Sequence, residues 1–196
     1  PVRLTNPPEA LAKFAAAAEA GLIEDKTKFQ EIQEIRRLQK LEIYNLEVLT
    51  STVTFDLIPR TVDGQAAWLA ERRGAYSAVI AEVDNEDGTP VVVGFGSLSR
   101  YRERAGYATT CEDSVYVHRD HQGEGIGSTL LTELVALATD HGFHTVMAKI
   151  VGGHQASIAL HERAGFSIVG REQEVGRKFG RWLDVVLMQR MLAPKS

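Results

Sequence analysis

The chain has 196 residues, 44% of them hydrophobic and 24% charged, with a formal net charge of −4. This composition fits one folded domain with its own core and excludes a disordered chain, a fibre and a bundle of membrane helices. The acidic balance is the wrong sign for neutralising nucleic-acid phosphates, and the single cysteine, Cys111, excludes an intrachain disulfide and suits a reducing compartment.

Residues 2–5 suggest a short first strand. Residues 10–20 are rich in alanine and end in Ala18-Glu19-Ala20, which imitates a secretory cleavage site. Glu9, Lys13 and Glu19 interrupt the apolar run that such a leader needs, so the segment reads as a helix. Asn6 can cap it, Pro7 suits its first turn, Glu9 completes a capping-box pattern and Gly21 stops it. A second capping-box pattern, Thr27 with Gln30, opens a helix whose apolar face carries Phe29, Ile32, Ile35, Leu38, Leu41 and Tyr44 and which ends near Leu49. Residues 51–55, rich in β-branched side chains, predict a strand. Residues 65–72 predict a helix capped by Thr61 or Asp63. The apolar runs 78–83 and 91–98 flank the turn signal Asp84-Asn85-Glu86-Asp87-Gly88 and predict an antiparallel hairpin.

After a polar loop over 100–106 comes a strand over 109–117. The amphipathic helix at 125–141 follows, with Leu130, Leu131, Leu134, Val135 and Ala138 on one stripe. A buried strand at 145–151, a helix at 155–163 and two strands at 166–175 and 182–191 complete the chain. The pattern implies one α+β domain, residues 41–196, with residues 1–40 forming a helical N-terminal arm.

The informative stretch is Val117-His118-Arg119-Asp120-His121-Gln122-Gly123-Glu124-Gly125-Ile126-Gly127, which leaves a strand and opens the long helix. Its glycines allow a tight turn with uncovered N–H groups, and a helix N-terminus adds partial positive charge. Together they suit a pyrophosphate. It lacks the Gly-Lys-Ser/Thr of a Walker A loop and the glycine spacing of a Rossmann fingerprint. On local pattern alone, a tight turn without a ligand is the other reading. His118/His121 and His141/His144 have no acidic or cysteine partners at metal-ligand spacing, so no metal is expected.

Gln122-x-x-Gly125-x-Gly127 resembles the acyl-CoA pyrophosphate loop of the GNAT N-acyltransferase superfamily. Residues 157–166, Ser-Ile-Ala-Leu-His-Glu-Arg-Ala-Gly-Phe, resemble its second hallmark. Residues 51–55, 112–117 and 176–184 are similar to the phosphinothricin/methionine sulfoximine acetyltransferase branch. The resemblance spans about residues 41–192.

It implies a mixed, mostly antiparallel sheet flanked by helices and splayed near residues 115 and 149. It implies acetyl-CoA as co-substrate, a small amino acid or analogue as acceptor, and a cytoplasmic homodimer in which the turn from Lys178 to Trp182 completes the partner's pocket. No nucleic-acid or membrane partner is expected.

By this resemblance Glu112 is the general base that takes the amine proton. Strand alternation puts it on one face with Ser114 and Tyr116, and Cys111, Asp113 and Val115 on the other. His161 is the second catalytic candidate, to protonate the leaving thiolate or to position the amine. Val115, Tyr116 and Val117 would align the pantetheine. Gln122, Gly123, Glu124, Gly125, Ile126, Gly127 and Ser128 would hold the pyrophosphate, with His154 and Ser157 also at the cofactor. Tyr101 and Arg102 would grip the acceptor's acid group through the guanidinium fork. Phe55, Cys111, Asp113 and Lys178 would complete the acceptor site, with Asp113 mainly structural.

Two departures stand out. His154 replaces the family's usual Asn, and Glu124 brings a carboxylate into the pyrophosphate loop, where it should weaken anion binding. Acetylation of a protein N-terminus or lysine, and a non-catalytic acyl-CoA sensor, are the rival readings.

Overall fold

The structure is a computed structural model that describes residues 2–6, 26–72 and 74–192. The helix expected over 10–20, with Pro7 and Gly21 at its ends, lies outside the described residues, as does the Thr27 side chain. The elements, in chain order, are β1 (Arg3–Thr5), α1 (Lys26–Thr50), α2 (Val62–Ala70), β2 (Ala78–Asp84), β3 (Pro90–Arg100), β4 (Thr110–Val117), α3 (Ile126–Asp140), β5 (Thr145–Val151), α4 (Gln155–Arg163), β6 (Ser167–Lys178) and β7 (Arg181–Met191). Helix α1 runs unbroken across residues 40 and 41, where the arm was expected to end.

The described strands form one sheet in the order β1-β2-β3-β4-β5-β7-β6. Every neighbouring pair is antiparallel except β4 with β5. Helix α3 lays Leu130, Leu131 and Leu134 against Val79, Val93, Val146 and Met188 on one face. Each of those leucines is fully buried, so truncating one to Ala costs about 2–5 kcal/mol. The helix can lie so close because β3 carries Gly96 beneath it, where a Cβ would come within 2.8 Å of Leu134 Cδ1. On the other face, Ile43, Tyr44 and Val48 of α1 pack on Ile80, Val92 and Phe95, with Trp68 of α2 beside them. The sheet thus has a helical layer on both faces, and β4 sits near its middle.

Residues 51–55 are not a strand. Ser51 N and Oγ both bond the Glu47 carbonyl, Val53 N donates to Ser51 Oγ, and Asp56 N donates to Thr54 Oγ1. Hydroxyl-to-backbone bonds of this kind compete with sheet pairing, and here they turn the chain out of α1. Helix α2 starts three residues before the expected 65, with Thr61 as its cap: Gly64 N donates to Thr61 Oγ1 at 3.0 Å. The last hairpin is longer than the apolar pattern implied. β6 and β7 run on to a two-residue turn at Phe179-Gly180, both at positive φ, where the polar residues 176–178 still pair with Arg181, Trp182 and Leu183.

Candidate active site

The parallel pair β4 and β5 is in register only at Thr110↔Thr145, Cys111↔Val146 and Glu112↔Met147. Beyond Glu112 the strands part, as expected near 115 and 149. The main-chain edge of β4 from Asp113 onward is then left without a strand partner on that side, and it faces a cleft of about 510 Å³. The cleft runs between the two strands to the turn before α3 and the start of α4. It is lined by Val115–Val117, Gln122, Gly123, Gly125, Ile126–Ser128, His154 and Ser157. These are the residues assigned to the cofactor, with the exception of Glu124.

Gly125 caps α3 with φ 82°, a left-handed conformation that an L side chain adopts only under strain. The helix N–H groups that follow have no intrahelical acceptor, and they open onto the cleft with the positive end of the helix dipole. Glu124 turns away: its carboxylate lies 3.1 Å from His121 Nδ1 and is half-exposed. A local partner thus holds the carboxylate that was expected to weaken the anion site. His154 caps α4, its Nδ1 accepting from Ser157 N at 3.3 Å. The cleft fits the acyl-CoA that these residues were assigned to hold: an open strand edge for amide groups and a helix N-terminus for a pyrophosphate.

At the fork of the splay stands Glu112, 20% exposed, with Lys149 Nζ of β5 2.7 Å from its Oε2. Burial pushes the Glu112 carboxyl up; the Lys149 hydrogen bond and charge pull it down, and the balance leaves it raised. Lys149 Nζ also lies 5.3 Å from the centroid of the Tyr101 ring, and the Arg102 guanidinium lies 4.9 Å from the same centroid. Arg102 Nη1 donates to Tyr107 Oη at 3.3 Å and is fully exposed. Lys149, which lines the cleft, therefore joins Glu112 to Tyr101, and Tyr101 in turn lies beside Arg102.

Asp113 points to the opposite face, as strand alternation requires. Its Oδ2 lies 3.1 Å from His161 Nε2, and the pair is almost wholly buried. His161 Nδ1 donates to the Ser157 carbonyl at 2.7 Å. Burial disfavours the charged ring, but the Asp113 hydrogen bond and charge, with the Ser157 carbonyl, outweigh it and raise His161 above the ordinary histidine value. The ring bridges the Ser157 carbonyl and the Asp113 carboxylate, which favour its protonated form, and it holds α4 to β4. Asp113 Oδ1 is buried and has no partner.

The other acceptor candidates lie elsewhere. The Cys111 side chain is sealed in the core against α3, and burial, with the Asp113 charge, pushes its thiol up to about 12. It cannot touch a ligand in the cleft. Lys178 is buried, and its Nζ donates to the Thr54 carbonyl at 2.8 Å and the Glu47 carbonyl at 3.5 Å; it ties the β6–β7 hairpin to the end of α1. Phe55 lies against Gly176 of the same hairpin.

Lys149 was missed by sequence reasoning. The trace it left is a lone charge inside Thr145-Val-Met-Ala-Lys-Ile-Val, a strand otherwise buried throughout. Val53, within the 51–55 segment that resembles the branch, also lines the cleft, as does Glu47, which gave no sequence signal.

A forked parallel pair with an anion-binding turn on one arm defines a binder of an acyl-CoA thioester. The chain belongs to the acetyltransferase (GNAT) family, whose model matches residues 40–166. It is 41% identical over 155 residues to the L-amino acid N-acyltransferase MnaT of Escherichia coli, covering 79% of this chain and 88% of that one. It superposes with TM-score 0.75 on a ribosomal-protein-alanine N-acetyltransferase from Brucella melitensis, at 36% identity over 81% of this chain and 96% of that one. A phosphinothricin acetyltransferase from Sinorhizobium meliloti, solved in complex with AcCoA, matches with TM-score 0.74 at 37% identity, covering 82% and 84% of the two chains.

Proposed function

We propose that this acetyltransferase moves the acetyl group of acetyl-CoA to the amine of a small free amino acid or analogue of the phosphinothricin or methionine sulfoximine kind. The observation that carries the reading is the carboxylate of Glu112 at the fork of the splayed strands, beside an exposed Tyr101-Arg102 pair. Acetyl-CoA supplies an activated thioester. The open edge of β4 at residues 115–117 aligns the pantetheine and offers N–H groups to the developing oxyanion, and the N-terminus of α3 holds the pyrophosphate.

Glu112 accepts the proton that the amine must lose, and its raised proton affinity brings it closer to neutral pH. His161, kept protonated by Asp113, is suited to donate a proton towards the thiolate rather than to accept one. Arg102 offers its fork to an anionic or polar group of the acceptor.

A homodimer fits the last hairpin. β6 is an edge strand exposed along nearly its whole length, and Val169 and Val175 on it, Phe179 in the turn and Trp182 at the start of β7 are exposed apolar side chains. Single chains rarely leave such an edge uncovered. The reading places the enzyme in the cytoplasm, where a lone thiol stays reduced. Among the described residues no helix is long and apolar enough to cross a membrane.

The likeness to a ribosomal-protein-alanine N-acetyltransferase favours a peptide acceptor as the second reading. Release of the CoA thiol, measured against free amino acids, phosphinothricin, methionine sulfoximine and short peptides, decides between them. Turnover with the small acceptors is expected; turnover with peptides alone would overturn the reading.

A further inference from the structure

An amine acceptor approaches the cleft as an ammonium ion, and Glu112 is its natural partner. Yet an ammonium group already stands there, Lys149 Nζ, 2.7 Å from Glu112 Oε2 and with its side chain 42% exposed. Two strands cooperate in placing it. Register pairs Glu112 with Met147, so Lys149 comes two residues after the fork and on the same face as Glu112. Its neighbours Ala148 and Ile150 point into the core on the other face. A lysine ammonium has three N–H donors. One goes to Glu112, and the Tyr101 ring lies 5.3 Å from Nζ, which leaves donors open to the cleft that Lys149 lines.

Glu112 and Lys149 therefore present a pair of opposite charges beside the cleft that Lys149 lines. A simple cationic amine meets attraction from Glu112 and repulsion from Lys149 at nearly the same distance. A free α-amino acid is a zwitterion whose ammonium and carboxylate sit on one carbon, and it matches the pair in both signs. We infer that Lys149 is a specificity-determining residue that binds the acceptor's α-carboxylate while Glu112 holds the α-amine, so the site selects zwitterionic amino acids over protein N-termini and lysine side chains. This deepens the proposed function and rests on it. Arg102, 4.9 Å from the Tyr101 centroid and not itself paired with Glu112, is left for a polar group at the end of the acceptor's side chain.

The test uses two acceptors that differ only at the α-carboxyl, methionine sulfoximine and its α-carboxamide. Lys149→Met also alters the proton affinity of Glu112, so the ratio is read at a pH high enough for both acceptors' amines to be largely deprotonated. The wild-type protein is expected to favour the free acid. In Lys149→Met the acid-to-amide ratio of kcat/KM should fall by about tenfold or more, and Lys149→Arg should restore part of it. A ratio unchanged by Lys149→Met, or a wild type that acetylates the amide as well as the acid, overturns the inference. If neither compound turns over, the proposed reaction fails. Calorimetric binding of the same two compounds then decides the role of Lys149: an acid preference lost in Lys149→Met supports it, and equal binding overturns it.

Discussion

Two carboxylates stand side by side on β4, each with a cation from a neighbouring element, and they differ in almost everything else. Glu112 meets Lys149 at the open fork, where both side chains keep contact with solvent. Asp113 meets His161 on the opposite face, where the pair is almost wholly buried. One residue of strand alternation separates a solvent-open pair at the fork from a buried pair that fastens α4 to the sheet and still borders the cleft. A buried pair is costly to break, and an exposed pair contributes little stability but is free to react. The same chemical types thus serve opposite purposes, set by the face they occupy.

The contrast can be broken at either carboxylate. Glu112→Gln should lower kcat by about two to four orders of magnitude while acetyl-CoA binding, followed by calorimetry, and the urea midpoint stay near those of the wild type. Asp113→Asn should do the reverse in kind, lowering unfolding stability by about 3–5 kcal/mol because the imidazolium loses its buried counter-charge. The sign with pH follows from the raised His161. Its stabilising share is fully present below the unfolded histidine pKa and is lost as pH rises through the folded one, so the loss in Asp113→Asn should be largest in acid. Urea titrations at several pH values check this.

A third cation sharpens the comparison because it has no acid at all. Lys40 is 1% exposed, its Nζ has no hydrogen-bond partner among the described residues, and it lies 4.4 Å from the centroid of the Trp68 ring. Burial, with Arg72 and Arg60 nearby, pulls its pKa down to about 7. Between that value and the ordinary lysine range the unfolded chain binds the extra proton, so this group makes stability rise with pH. Lys40→Met should remove that slope and stabilise the protein at neutral pH by about 2 kcal/mol, read from thermal or urea unfolding. The smallest effect is expected at Arg102. Arg102→Ala should raise the acceptor KM about tenfold with kcat little changed, as loss of a binding contact does. A fall in kcat at constant KM would remove it from the acceptor site.

Much of this was legible in the sequence. The turn at 117–127, the alternation along β4 and the stripe of α3 depend on local spacing, and each fell where the spacing put it. The split of β4 from β5 came only through family resemblance, because no local pattern marks the residue at which two strands part. Residues 51–55 were misread because β-branched residues that bond their own backbone through hydroxyls look, in composition, like a strand. Lys149 was hidden because its role exists only across the fork, opposite a residue 37 positions earlier in the chain.

The most direct measurement is the pH dependence of kcat/KM for CoA-thiol release with a small amino-acid acceptor, for the wild type and Glu112→Gln together. A base must be ionised to act, so the wild-type rate should fall as acid protonates Glu112, with a midpoint above the ordinary carboxylate range. Glu112→Gln should lie far below the wild type at neutral pH and lack that acid limb. A variant with the wild-type rate and the same limb would contradict the assignment of Glu112 as the base.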